Sequence, residues 1–261
     1  MLKQISLLIL CAVAIVLFTA PVQACTSAVV SGKVTPDGRP LLWKNRDTDF
    51  MRNHIDYVKG EKYNFIAVVN SANAYLKEAW MGTNSSGFAL MNTQSYNLVD
   101  VKGDEERGAA NGRVIYRALE VCATVEDFCH FLDTISKPSD IEANFGVIDA
   151  QGGAAMFEVD YHKYVMYDAN NPKDAPYGYI VRTNFSFAGK VNEGAGYVRY
   201  MEADQVLMKA SATGSITPQF IFNDLSRSFR NRMLDIDLRS GAYNRPQASG
   251  WFVDQDFIPR S

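Results

Sequence analysis

The sequence contains little histidine and no excess of positive charge. Its 261 residues include three histidines, and 26 lysines and arginines stand against 29 acidic residues, which gives a net charge of -3. Since no basic surface is available to neutralise phosphates, these numbers argue against a nucleic-acid partner. The histidines form no paired ligand motif, so we predict neither a metal site nor a cofactor. What is present, 47% hydrophobic and 21% charged residues, is typical of a globular protein with a sizeable core.

Long apolar runs are also missing, except at the N-terminus. There Lys3 precedes the apolar run Ile5–Ala20, and the small residue Ala24 ends the segment. A charged start, a short apolar stretch and a small residue at the cleavage point are typical of a secretory signal peptide. We therefore predict a signal peptide over residues 1–24 and a single mature domain over residues 25–261. The product is expected to be exported, periplasmic or extracellular, with no membrane partner after cleavage.

Cleavage at this point would make Cys25 the first residue of the mature chain. The thiol and the α-amine would then belong to one residue, and an α-amine has a pKa of roughly 7.7–8.0. The amine can therefore accept the thiol proton and act as general base for a cysteine nucleophile, without a histidine. Two other interpretations stay open: a structural cysteine, and a lipoprotein anchor acylated at Cys25. The strand predicted directly after Cys25 disfavours the flexible tether that an anchor needs.

The residues that follow predict a β-hairpin that returns to Cys25. Residues 26–45 contain two strand patterns separated by a turn signal at residues 36–38. Residues 46–49, Arg-Asp-Thr-Asp, close the second strand, and antiparallel pairing could bring this segment back near Cys25. A guanidinium at that position favours a thiolate, and a carboxylate there can orient an α-amine.

The succession of Cys25-Thr26, a hairpin and Arg46-x-x-Asp49 resembles the start of N-terminal-nucleophile amide hydrolases. The branch is that of choloylglycine (bile salt) hydrolase, penicillin V acylase and acyl-coenzyme A:6-aminopenicillanate acyltransferase. The resemblance covers most of residues 25–260. It implies that Cys25 is the nucleophile, that Arg46 lies beside its thiol and that Asp49 binds its α-amine.

Three further positions match the same family. The strand-turn-strand segment Met81–Asn92 resembles a family segment whose last asparagine, Asn92 here, donates to the oxyanion. The strand Tyr179–Asn184 resembles one whose terminal asparagine, Asn184, points at the nucleophile. Arg199, near the start of a predicted helix, matches a second family arginine close to the nucleophile. Fixed donors of this kind contribute on the order of 10²–10³ in rate when an oxyanion forms.

The remaining patterns alternate between strands and helices. Residues 109–136 have helical spacing with a break near Ala123, residues 144–167 predict a meander, and residues 197–209 and 217–229 predict helices. Alternating blocks of this kind support an α+β domain. The resemblance further implies a four-layer αββα sandwich, with two mostly antiparallel sheets packed between helices.

The sequence leaves open whether two cysteines form a disulfide and whether the chain is a full-length member of the family. Three acidic residues are interpreted as structural. The break near residue 123 leaves Cys122 and Cys129 either as buried free thiols or as a disulfide. We place Asp149, Glu158 and Asp160 at turns and strand edges. Family members usually continue with further strands beyond the last residue, so we expect either a shortened member or a fragment.

The resemblance implies hydrolysis of a linear, non-peptide C–N amide of an N-acylated small molecule. In this hypothesis the Cys25 thiolate attacks the carbonyl, Asn92 stabilises the oxyanion, and water resolves the thioester. An amine in place of water would make the same site an acyltransferase. Bile salts, penicillins, N-acyl amino acids and acyl homoserine lactones all remain candidate substrates, and assembly into a homo-oligomer is left open. The alternative from another class is a binding lipoprotein, lipidated at Cys25 and without catalysis.

Overall fold

A computed structural model describes residues 24–48, 50–99, 108–237, 239 and 257–259. The predicted signal peptide, apart from Ala24, lies outside these ranges, and so does Asp49. Within these ranges, no helix combines the length and apolar character needed to cross a bilayer.

Strands make up most of the regular structure. In chain order they are β1 (Thr26–Val30), β2 (Leu41–Asn45), β3 (Asn53–Val58), β4 (Phe65–Asn70), β5 (Met81–Asn84), β6 (Ala89–Gln94), β7 (Ala143–Ile148), β8 (Ala154–Val159), β9 (Tyr164–Asp168), β10 (Tyr179–Arg182), β11 (Arg230–Asn231) and β12 (Ile236–Asp237). The main helices are α1 (Asn111–Val121), α2 (Val125–Thr134) and α3 (Tyr197–Ala212). Shorter helical segments are the 3-10 helices Gly32–Val34 and Ser71–Leu76, the turn Pro218–Phe220 and the π-helical turn Ile221–Leu225.

The strands form two large antiparallel arrangements of unequal size. The smaller sheet has the order β10-β1-β2, with β1 in the centre, and the larger has the order β3-β4-β5-β6-β7-β8-β9. Every pair of neighbours in both sheets is antiparallel. The larger sheet follows chain order throughout, as hairpins and meanders do. The predicted hairpin of residues 26–45 and the predicted meander are confirmed.

In the described part of the chain, three hydrophobic clusters lie between four layers of secondary structure. The first packs α1 and α2 against the outer face of the larger sheet, and the second packs α3 against the smaller sheet. The third lies between the two sheets. Representative members are Leu119, Phe128 and Phe157 in the first, Val30 and Leu207 in the second, and Val29, Met91 and Ile180 in the third. The order is helix, sheet, sheet, helix, which confirms the α+β fold with an αββα arrangement.

Strand β1 is buried on both faces because it is the centre of an inner layer. Successive side chains of a strand point to opposite faces. Ala28 and Val30 pack towards α3, while Val29 packs towards the larger sheet. Ser27, two residues before Val29, therefore shares the face between the sheets, and Cys25 precedes it on that same face. The start of β1 consequently lies between the two sheets.

The predicted break between the first two helices is confirmed. Thr124 begins α2 with a capping box, in which its hydroxyl accepts from the Asp127 N–H and the Asp127 side chain accepts from the Thr124 N–H. This arrangement satisfies N–H groups that a helix N-terminus otherwise leaves unpaired. Cys122 and Cys129 are both free thiols, and Cys129 is only partly buried. The alternative of two free thiols is therefore the observed one, and Cys122 and Cys129 form no disulfide.

Two predictions were wrong. The helix predicted over residues 217–229 is replaced by the short turn Pro218–Phe220 and a π-helical turn, because tertiary contacts end it early. Ser226 accepts hydrogen bonds from the Trp43 indole at 2.8 Å and from the Asn45 side chain at 2.9 Å, which fixes the chain against β2. Glu158 does not lie at a strand edge. It is buried on the inner face of β8 and pairs with Arg182 at 2.6 Å.

Candidate active site

The predicted nucleophile, Cys25, lies at the start of β1 and is buried. Its backbone nitrogen donates to Asn184 Oδ1 at 2.9 Å, and its Sγ lies 4.0 Å from the Asp47 carbonyl oxygen. Its carbonyl oxygen accepts a hydrogen bond from Arg199. The backbone of this residue is therefore held on both sides by side chains that sequence analysis selected.

Asn184 connects three elements at this point. It follows β10, the antiparallel neighbour of β1, so its position next to Cys25 comes directly from the strand register. Its Oδ1 accepts from the Cys25 nitrogen and from Arg199 Nη2, each at 2.9 Å, and its Nδ2 donates to the Gln94 carbonyl at 2.8 Å. The side-chain amide is fully buried, and its orientation is fixed by one donor and two acceptor contacts. Asn184 thus points at Cys25.

Arg199 lies in the first turn of α3 and is almost completely buried. Its guanidinium donates to the Cys25 carbonyl, to Thr26 Oγ1 at 2.9 Å and to Asn184 Oδ1 at 2.9 Å. A side chain at Gly196 would collide with this guanidinium, and Gly196 adopts a φ of 89°. Both constraints favour glycine at the position before the helix. The structure therefore joins Arg199 to Cys25 and Asn184.

Arg46 follows β2 and is placed beside Cys25 by the hairpin. Thr26 pairs with Asn45 in the antiparallel hairpin. Continuing this register by one residue places Cys25 opposite Arg46. The Arg46 guanidinium donates to Asn70 Oδ1 at 2.8 Å and to Asn53 Oδ1, and it lies 5.0 Å from the centre of the Trp80 ring. Burial lowers the pKa of Arg46 from its usual range, and negative charge at Cys25 opposes that lowering. The guanidinium nevertheless stays charged.

Asn92 contacts a residue that sequence analysis missed. Lys44, on β2, donates through Nζ to Asn92 Oδ1 and to the Trp80 carbonyl, both at 3.1 Å. Burial lowers the pKa of Lys44 to about 8, while negative charge at Cys25 raises it and Arg46 lowers it further. The available signal was a lysine in the middle of a strand whose neighbours, Leu42 and Trp43, are apolar.

A second missed residue, Asn144, holds together the segments around the site. It lies in β7 and is fully buried. Its Nδ2 lies 3.1 Å from Thr93 Oγ1 and 3.2 Å from the carbonyl oxygens of Thr183 and Phe185, and its Oδ1 accepts from Ser186 at 2.5 Å. These contacts link the larger sheet to the backbone on both sides of residue 184. A polar residue inside an otherwise apolar strand is the signal that could have found it.

Glu158 fixes the loop that follows Asn184. Besides its ion pair with Arg182, it accepts from the backbone N–H groups of Phe187 at 2.8 Å and Ala188 at 2.7 Å. The Arg182 guanidinium also lies 3.9 Å from the centre of the Phe187 ring. A buried carboxylate with several charge-assisted hydrogen bonds is well compensated. The corrected position of Glu158 therefore has a structural role next to the site.

The predicted site residues thus fall into three groups. Cys25, Asn184 and Arg199 contact one another, and Arg46 lies opposite Cys25 across the hairpin. Asn92 contacts Lys44. Asp49 lies outside the described residues. Among the residues that the structure describes, no three histidine, cysteine or acidic side chains are grouped so that they could hold a metal ion.

Residues 34–213, more than half of the chain, match the family model described as acyl-coenzyme A:6-aminopenicillanic acid acyl-transferase. A search of curated protein sequences gave no match. A Caenorhabditis elegans N-acylethanolamine-hydrolyzing acid amidase ortholog is 16% identical, with a TM-score of 0.51, over 77% of this chain and 89% of that one. At this identity the likeness concerns the fold.

Two more distant structures are similar over comparable parts of the chain. A mutant conjugated bile acid hydrolase from Clostridium perfringens is 14% identical, over 77% of this chain and 74% of that one, with a TM-score of 0.45. A penicillin V acylase from Agrobacterium tumefaciens is 16% identical, over 76% and 67%, with a TM-score of 0.34.

Proposed function

Because the chain belongs to the acyl-coenzyme A:6-aminopenicillanic acid acyl-transferase family, one of the N-terminal-nucleophile hydrolase families, we propose that it hydrolyses a linear amide of an N-acylated small molecule. Cys25 is the proposed nucleophile. The observation that carries this proposal is the convergence of Asn184 and Arg199 on the backbone of one buried cysteine, with Arg46 opposite it. Positive charge nearby favours a thiolate, and the guanidinium groups of Arg46 and Arg199 supply that charge.

The proposed reaction has two steps. The Cys25 thiolate attacks the amide carbonyl carbon, the C–N bond breaks, and the leaving nitrogen takes a proton from the Cys25 α-ammonium. Water then adds to the thioester, which releases the carboxylic acid and returns the thiol. Asn92 is the proposed oxyanion donor, because its Oδ1 is occupied by the Lys44 ammonium and its Nδ2 is the group that can donate.

The α-amine of Cys25 is the proposed general base. The Cys25 nitrogen lies 2.9 Å from Asn184 Oδ1, a position that would hold an amine as well as the peptide N–H. This role needs a free N-terminus at Cys25, and removal of the proposed signal peptide after Ala24 would supply it. Export and activation would then be one event, with the mature enzyme periplasmic or extracellular.

Acyl transfer is the second candidate function. The matched family model is described as an acyl-transferase, and an amine that attacks the thioester would give that outcome. The two functions separate by product analysis. With an amino acid acceptor in excess, a transferase forms the new amide, and a hydrolase mainly releases the acid.

The test of the nucleophile is Cys25→Ser in the processed protein, with Cys129→Ser as matched control. Cys129 is a partly buried free thiol on α2, on the far side of the larger sheet. We expect Cys25→Ser to lose nearly all hydrolysis of a panel of N-acyl amides, and Cys129→Ser to retain it. Mass spectrometry of rapidly quenched wild type should show the acyl group on Cys25. Full activity in Cys25→Ser would contradict the proposal.

The test of activation compares two forms of the protein. A form with residues retained ahead of Cys25 has an amide nitrogen there, which cannot accept a proton, so it should be folded and inactive. Proteolytic removal of the extra residues should restore turnover. Equal rates in the two forms would exclude the α-amine as base, and Lys44 would then be the residue to mutate. Intact mass of the exported protein distinguishes the lipoprotein alternative, because acylation adds the mass of a fatty chain.

A further inference from the structure

Lys44 lies near Cys25, and the mechanism above gives it no direct role at the thiol. It pairs with Ser27, the residue two positions after Cys25. Directly opposite residues of an antiparallel pair share a face, and diagonal neighbours lie about 7–8 Å apart between Cα atoms. Val29 shows that this face of β1 points between the sheets. Lys44 and Cys25 are therefore diagonal neighbours on the inner face of the hairpin.

The position of the Lys44 ammonium is fixed by neutral oxygen atoms. Nζ donates to the Trp80 carbonyl and to Asn92 Oδ1, each at 3.1 Å. Neither partner carries a charge that would cancel the ammonium, so its field acts on neighbouring groups. An ammonium donates only, so Asn92 must turn its oxygen towards Lys44 and its NH₂ group away. One side chain thus sets both a local charge and the orientation of an amide.

We propose that Lys44 is a positioning residue for the nucleophile: its fixed ammonium stabilises the Cys25 thiolate and orients the Asn92 amide. The catalytic consequence of this assignment rests on the proposed function, whereas its effect on the thiolate does not. The mutual influence of the two groups supports it, since negative charge at Cys25 favours the protonated form of Lys44. By the same coupling, the ammonium favours the thiolate.

Two other cations lie near Cys25 in the described part of the chain, one after β2 and one on α3. Arg46 follows β2, and its guanidinium is engaged by Asn53 and Asn70. Arg199 on α3 donates to the Cys25 backbone rather than to its thiol. Asp47 contributes its carbonyl oxygen, 4.0 Å from Sγ. Among the described residues, Lys44 is therefore one of three cations near this thiol. Removing its charge should weaken the stabilisation of the thiolate without abolishing it.

The experiment uses the processed protein and three substitutions. Lys44→Gln removes the charge and keeps a donor, Lys44→Arg keeps the charge, and Lys33→Met changes an exposed lysine that donates to Asn170. The rate of iodoacetamide alkylation at Cys25 is measured against pH by mass spectrometry, without substrate. We expect the alkylation midpoint of Lys44→Gln to move up by about one pH unit. Lys44→Arg should recover most of the shift, and Lys33→Met should leave the midpoint unchanged.

Turnover supplies the second measurement. With an amide substrate, Lys44→Gln should lower kcat by about 10- to 100-fold, while KM changes by less than about threefold. An unchanged midpoint together with unchanged kcat in a folded Lys44→Gln protein would overturn the proposal. If wild type turns over no amide and the midpoint still shifts, the proposed function fails and the role of Lys44 at the thiol is upheld. Lys44→Met provides the same comparison if Lys44→Gln does not fold.

Discussion

Placing a lysine between two sheets should cost stability, and the cost should depend on pH. Burial lowers the pKa of Lys44 to about 8 in the folded protein, from 10.5 for a free side chain. Between these values the unfolded chain binds more protons than the folded protein, so stability due to this group rises as pH increases. The difference between these two pKa values corresponds to about 3 kcal/mol in the free energy of unfolding. This cost is fully present below about pH 8 and disappears above about pH 10.5.

The measurement is the free energy of unfolding of wild type and Lys44→Met at pH 7, 8.5 and 10, by urea denaturation. Because the variant has no charge to desolvate, wild type should gain on the order of 2 kcal/mol relative to it between pH 7 and pH 10. The variant also loses the hydrogen bonds to Trp80 and Asn92, which changes its free energy of unfolding by about the same amount at every pH. The pH dependence of the difference therefore comes mainly from the titration of Lys44. Lys33→Met, at an exposed position, should show no such slope. A difference between wild type and Lys44→Met that stays constant over this range would refute the reasoning.

Two further predictions concern groups that hold the site. Arg199→Met removes the hydrogen bonds that a buried guanidinium donates to Cys25, Thr26 and Asn184. It should lower the free energy of unfolding by about 2–4 kcal/mol and abolish most turnover. Arg199→Lys lacks the planar fork and should recover less than half of the lost stability or turnover. Urea denaturation and steady-state kinetics measure both, and an Arg199→Met protein as active as wild type would contradict the assignment. Glu158→Gln should cost about 2–4 kcal/mol by thermal denaturation, because it leaves the buried Arg182 charge without a carboxylate. The exposed pair of Asp37 and Arg39 is its control, where Asp37→Asn should cost less than about 1 kcal/mol; equal costs at the two positions would contradict this account.

Local pattern was sufficient for elements whose partners are close in sequence. The hairpin of β1 and β2 follows from two strand patterns and a turn within 20 residues, and the register it sets brings Arg46 opposite Cys25. The break between α1 and α2 follows from the cap at Thr124. Both depend on hydrogen bonds within a few residues of one another, which residue type and spacing largely determine.

The site residues distant from Cys25 were predicted from the resemblance to a known family and not from the local sequence pattern. Asn184 and Arg199 are more than 150 residues from Cys25, and nothing in their neighbourhood of sequence indicates a contact with it. The contact arises because β10 pairs with β1 and α3 packs on the sheet that they form. Only the assembled fold brings these segments together.

Lys44, Asn144 and Glu158 show what tertiary structure alone decided. Each lies within a strand, where alternation predicts which residues share a face but not whether that face meets water or another sheet. The packing of the two sheets makes all three faces internal, and there each polar group needs partners from the opposite side. The amino-acid sequence by itself determined the hairpin that follows Cys25 and the arginine across from it. The meeting of two sheets determined which other side chains surround that cysteine, because burial between layers depends on segments that are distant in sequence.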